Sequence, residues 1–169
     1  MLFQYKSPAQ VPIKFGQAAF PTIFLAGTID DGNSENWQDR AVNFLKDRIT
    51  QDTIAVNPRR DFWDSNLQES ELRTQINWEL DNIQRAHVVF LYLHPGSKSP
   101  ISLLEMGLLV GQSSTGMALN KLVVCCPPGY WRKTNVEVVC ERNNVPFFEN
   151  FEEGLSFALS LTYRRAAIV

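Results

Sequence analysis

His87-Val88-Val89-Phe90-Leu91-Tyr92-Leu93 is apolar throughout, with no polar residue at alternate positions. A strand with one wetted face would alternate; a central parallel strand, covered on both faces, would not. Working outward, Pro21 to Gly27 (Pro21-Thr22-Ile23-Phe24-Leu25-Ala26-Gly27), Thr53-Ile54-Ala55-Val56 and Lys121 to Cys126 have the same character. Between them lie stretches of helical period. Trp37, Ala41, Leu45 and Ile49 form one face, with Ser34 as the expected N-cap. Leu72, Ile76, Leu80 and Ile83 share a face within 69–85. Ser99-Pro100 opens a third helix, with proline at its first position. A short helix with loops is expected over 130–144, an edge strand near Val145-Pro146-Phe147-Phe148, and a last helix over about 151–164. The alternation predicts an α/β fold: a single doubly wound, mainly parallel five-stranded sheet with helices on both faces, flavodoxin- or Rossmann-like. Residues 1–20 show no clear period and are set apart as an N-terminal arm, with one domain over 21–169.

Composition narrows the function classes. The chain has 169 residues and a formal net charge of −2, without the basic excess that nucleic-acid binding draws on. No run approaches the roughly 20 apolar residues of a membrane helix, and no signal peptide is evident. The cysteines Cys125, Cys126 and Cys140 have no metal-ligand spacing and read as buried reduced thiols, which points to a cytoplasmic location. No metal or cofactor is expected: His87 and His94 read as structural, and there is neither a dinucleotide fingerprint nor a P-loop.

In an open α/β sheet, ligands bind beyond the carboxyl ends of the strands. Four segments reach that edge: Gly27 to Asn36, Asn57 to Asp64, His94 to Glu105, and Pro127 to Asn135. Gly27, followed by Thr28, either makes a tight turn or lets a ligand approach the backbone. Arg59 and Arg60 suit a phosphate or carboxylate, or clamp a loop carboxylate such as Asp61 or Asp64. Trp63 and Phe62 offer faces for stacking on a base. Ser99 and Ser102 cap the helix or contact a ligand. Glu105 stands out: a carboxylate between Leu104 and Met106 is costly to bury unless it is paired or reactive. Glu79 shares a face with Gln75 beside Trp78, either as a solvated stripe or as a contact to a base edge.

Taken in order, several segments resemble the nucleoside 2-deoxyribosyltransferase family, in its 2-deoxyribosyltransferase-like branch. They are Ile23-Phe24-Leu25-Ala26-Gly27-Thr28-Ile29, Trp37-Gln38, Asn57-Pro58-Arg59-Arg60, and Gln75-Ile76-Asn77-Trp78-Glu79 with Ala86. Ser99-Pro100-Ile101-Ser102-Leu103-Leu104-Glu105-Met106-Gly107 and Tyr130-Trp131-Arg132-Lys133-Thr134-Asn135-Val136 complete the set. The resemblance implies a pentosyltransferase of nucleotide metabolism and salvage, acting on a nucleoside or nucleotide and a free nucleobase. It implies that Glu105 attacks the anomeric carbon to form a glycosyl ester, and that Glu79 contacts the nucleobase and assists its protonation. It implies a homo-oligomer in which Asn135 reaches the 5′ end of a sugar bound to a neighbouring subunit. The better-known branch carries an acidic residue six before the nucleophile; Ser99 stands there in this chain. Hydrolysis at the same site and a non-catalytic nucleotide-binding or sensor domain are the alternatives.

Overall fold

The computed structural model describes residues 1–14, 17–61, 68–114 and 121–168. Strands β1 (Leu2–Lys6), β4 (Thr22–Gly27), β5 (Thr53–Asn57), β6 (Val88–Tyr92), β7 (Leu122–Cys125) and β8 (Phe147–Phe148) form one sheet, and β2 (Ile13–Lys14) and β3 (Gln17–Ala18) a small antiparallel hairpin. The helices are α1 (Trp37–Lys46), α2 (Glu69–Arg85), α3 (Pro100–Ser114), α4 (Lys133–Arg142) and α5 (Phe151–Ala166). The sheet order is β1-β5-β4-β6-β7-β8, and every neighbouring pair is parallel. The chain moves from β4 to β5 on one side and returns to β6 on the other, so the switch point lies between β4 and β6.

The doubly wound expectation holds, with one strand more than predicted. Leu2–Lys6, within the expected arm, pairs with β5 from Leu2↔Thr53 to Lys6↔Asn57. Its residues are partly exposed, as an edge strand's are. Five residues interrupted by Gln4 carry too little periodicity to announce this.

Both faces of the central strands are buried. On one face, Phe24, Val56 and Leu91 pack against Ile83 of α2, Met106 and Leu109 of α3, and Val136 and Cys140 of α4. On the other, Leu25, Ala55 and Phe90 pack against α1 and α5, around a fully buried Trp37 set edge-on to Phe90 and Phe151. Cys125, Cys126 and Cys140 are free and buried. Burial pushes each thiol up, to about 11 for Cys126 and about 12 for the other two, so none is a nucleophile at neutral pH. No helix among the described residues is long and apolar enough to cross a membrane.

Two local expectations are corrected. The N-cap of α1 is Asn36, whose Oδ1 accepts from the Asp39 amide at 3.2 Å; the Ser34 hydroxyl instead donates to Ile29 O at 2.8 Å. The apolar stripe of α2 points outward: only Ile83 is buried, while Leu72, Ile76 and Leu80 are 48%, 45% and 39% exposed. The inward side of α2 carries Gln75 and Asn82, with Trp78 partly buried.

Candidate active site

The crevice at the switch point is closed by short polar bonds. Gly27 has φ +140°, and a Cβ there would fall 2.1 Å from Tyr92 O. Its glycine is therefore required by the close approach of β4 to the Tyr92 backbone. Thr28 N donates to Tyr92 O at 3.0 Å, and Thr28 O accepts from Trp37 Nε1 at 2.7 Å. The Thr28 hydroxyl accepts from the His94 amide at 2.9 Å and lies 2.5 Å from Ser99 Oγ. Ser97 Oγ is 3.0 Å from Ser99 Oγ and donates to Asp30 Oδ1 at 2.7 Å. Asp30 and Ser99 both hold left-handed backbone, at φ 49° and 47°, a conformation that costs a non-glycine residue free energy and gathers at functional sites. Thr28 and Ser99 thus stitch the β4–α1 and β6–α3 loops together. The Ser99 hydroxyl serves this network rather than a cap on α3. Ser102 is buried one turn further on.

Arg59 is a loop clamp. Its guanidinium donates to Gly32 O (2.7 Å), Ser34 O (2.8 Å), Glu35 O (3.1 Å) and Ser34 Oγ (3.3 Å). Among the described residues its partners belong to the β4–α1 loop and not to Asp61; Asp64 lies outside the described residues. Asn57, fully buried, accepts from the Arg59 amide at 2.9 Å through Oδ1, and its Nδ2 has no hydrogen-bond partner among the described residues. Both amide atoms of buried Gln38 are likewise unpaired. His87 is structural: its Nδ1 accepts from the Thr22 amide at 3.2 Å, and burial, with Arg165 and Lys121, holds it below the usual histidine range. His94 lies 3.7 Å from Glu35.

Glu79 and Glu105, 26 residues apart in the chain, come together from α2 and α3. Both are partly buried. Burial pushes Glu79 upward, opposed by a hydrogen bond from Gln75 and by the Arg60 charge. Burial, and then the negative charge of Glu79, push Glu105 up to about 8. Among the described residues no hydrogen bond or ion pair engages the Glu105 carboxylate. Burial and the neighbouring Glu79 charge thus favour the protonated form of Glu105 at neutral pH. Two neighbouring carboxylates each oppose the other's ionisation, and their titration belongs to the pair. Arg60 faces this pair: its Nε donates to Gln75 Oε1 at 2.9 Å, and Gln75 Nε2 donates to Glu79 Oε1 at 2.5 Å.

Asn135 is elsewhere. It lies on α4, exposed, in a cavity of about 370 Å³ between α3 and α4 that Leu103, Met106, Trp131 and Arg132 also line. At 100° per residue, Glu105 projects from the opposite side of α3. Trp63 and Phe62 lie outside the described residues. Ser97, which the sequence offers with Ser99 and Ser102 as a cap or ligand contact, lies in the network around Thr28; sequence reasoning missed Asp30, which sits at no spacing that signals a site.

Compared with curated proteins, the chain shows no significant match. The profile of the family described as "nucleoside 2-deoxyribosyltransferase like" matches residues 21–130, from β4 through both carboxylates to the end of the β7 loop. This span covers most of the chain, and the protein belongs to that family.

Proposed function

We propose that the protein is an N-glycosyl transferase that cleaves the N-glycosidic bond of a nucleoside and passes the sugar to another nucleobase through a glycosyl-Glu105 ester. The observation that carries this reading is the juxtaposition of Glu105 on α3 with Glu79 on α2, each carboxyl raised by burial; in this reading the pair shares one proton. The reactive arrangement has that proton on Glu79 and none on Glu105. The Glu105 carboxylate then forms a C1′–O bond as the C1′–N bond breaks. The bonding pair leaves with the base, which takes the proton from Glu79. A nitrogen of an incoming base attacks C1′ as the C1′–O bond breaks, releasing the Glu105 carboxylate with net retention, and the base's N–H proton passes to the Glu79 carboxylate. Water reaches the pair in a single subunit, because both carboxylates are only partly buried. N-glycoside hydrolysis is therefore the second reading. The Arg59 guanidinium is taken up by loop carbonyls, so a 5′-phosphate at this site would fall to Arg60.

The functional unit is a homo-oligomer in this reading. Leu72, Ile76 and Leu80 of α2, and Ile101, Leu104 and Leu108 of α3, are exposed apolar stripes beside the two carboxylates. Contiguous apolar surface of this kind marks an interface, and a second subunit over it would exclude water from the pair. Asn135, remote from Glu105 within one chain, is then free to serve a neighbour's site. Leu104→Glu should yield monomer by sedimentation with large loss of activity; an unchanged oligomer removes this face from the interface.

Chromatography of the protein with nucleosides and 5′-monophosphates, with and without adenine or cytosine as acceptor, tests the reading. A new nucleoside that forms only with acceptor supports transfer. Free base released regardless of acceptor supports hydrolysis. Ligand binding without any turnover would make the chain a nucleotide-binding or sensor domain.

A further inference from the structure

We infer that Gln75, held by Ser7 at the end of the N-terminal strand, is a positioning residue that sets which oxygen of Glu79 faces the substrate. The register Lys6↔Asn57 ends β1 beside Pro58, and the chain then crosses α2. Ala9 O accepts from Trp78 Nε1 at 2.9 Å. The Ser7 hydroxyl donates to Gln75 Oε1, as does Arg60 Nε at 2.9 Å. Two donors on one atom identify it as the amide oxygen and fix the orientation of the amide. The nitrogen must therefore point the other way, with Pro58 O at 3.3 Å and Glu79 Oε1 at 2.5 Å. Gln75 is 6% exposed and has all four hydrogen-bonding positions used. It cannot turn over without stranding buried donors.

Glu79 Oε1 is thus occupied by an N–H, and Oε2 is the oxygen left to carry a proton towards a leaving base. The inference deepens the catalytic reading above and rests on it for that last step. The charged groups around Glu79 are Glu105 on α3 and Arg60 on the β5–α2 connection; the Lys6–Asp61 ion pair lies at the end of β1. The N-terminal segment, which lies before the residues 21–130 matched by the family profile, becomes part of the site machinery.

Ser7→Ala, Ser7→Thr and Gln75→Met test it by two readouts. In nucleoside turnover, Gln75→Met should lower kcat about 10- to 100-fold, a share of what a positioned acid contributes, with KM within about threefold. It should also move the acid limb of the pH profile upward, because Glu79 loses a donor to its ionised form. Ser7→Ala should move both the same way but less, and Ser7→Thr, which keeps the hydroxyl, should restore them. In a second readout that needs no turnover, the side-chain carboxyl of carbon-13-labelled Glu79 is titrated by NMR. Its midpoint should rise in Gln75→Met and, less, in Ser7→Ala. Unchanged kcat, limb and midpoint in both variants would overturn the positioning role. Glu105→Ala, run alongside, separates the two claims. If it remains active, the catalytic reading fails, and the NMR midpoint alone decides the placement of Gln75.

Discussion

Glu105→Gln should stabilise the protein while abolishing turnover, and the gain should grow with pH. In an unfolded chain a glutamate releases its proton near 4.5; in the folded site Glu105 holds it to about 8. Between these values the folded state binds more protons than the unfolded state, so stability falls as pH rises. The penalty is absent below the unfolded value, grows through the window and is complete above about 8. At about 1.4 kcal/mol per pH unit the ceiling is about 5 kcal/mol. Water around a partly buried group screens this, and about 2–3 kcal/mol is expected at pH 9, against less than about 1 at pH 5. For a chain of this size that corresponds to a Tm about 5–10 °C above wild type at pH 9 and little difference at pH 5. The glutamine amide has its own unmet hydrogen bonds, a cost that does not vary with pH, so the slope of the difference carries the result. Thermal melts followed by circular dichroism at pH 5, 7 and 9 measure it. A Tm difference that stays flat across this range would refute the electrostatic account of Glu105.

Three further outcomes follow from the same geometry. Turnover should require the singly protonated carboxylate pair, so kcat/KM against pH should be bell-shaped and fall above about 8; a plateau extending past pH 9 would contradict a shared proton. Arg59→Met should cost about 2–4 kcal/mol, read as lost chemical stability in urea, because buried loop carbonyls lose their donors. It should not discriminate against 5′-phosphorylated ligands, and selective loss of their binding would restore the phosphate role. Gly27→Ala should fail to accumulate as folded protein in soluble expression, because the methyl group meets the Tyr92 backbone at 2.1 Å; a folded variant of normal Tm would show that β4 and β6 can separate there.

Much of the frame was legible in the sequence because apolar runs such as Val88–Tyr92 have only one stable setting, the middle of a sheet covered on both faces. The edge was not legible: β1 is defined by backbone pairing with β5, to which Gln4 and Lys6 contribute as well as any apolar residue. The face of α2 was misread for a physical reason. Period alone reports that Leu72, Ile76 and Leu80 share a side, not which side meets the core. Here the inward side is given to Gln75 and Asn82, a departure from the usual pattern that marks a site in place of packing. Glu105 was conspicuous as a carboxylate among leucines. Glu79 was a candidate too, but its closeness to Glu105 was not legible, because the two lie 26 positions apart with a whole strand between them. Arg59 pointed as well to a ligand as to a loop by residue type, and only the carbonyls of Gly32, Ser34 and Glu35 around it decide.

The most direct test of the central claim is mass spectrometry of the protein quenched during reaction with a 2′-fluoro-arabinonucleoside. Fluorine at C2′ destabilises the oxocarbenium-like transition states, and an intermediate that forms should outlive the quench. The account predicts a protein heavier by one fluoropentosyl group, with the added mass on the peptide carrying Glu105 and absent from Glu105→Gln. Base release from this substrate with no adduct on Glu105, or with an adduct on another residue, would contradict it.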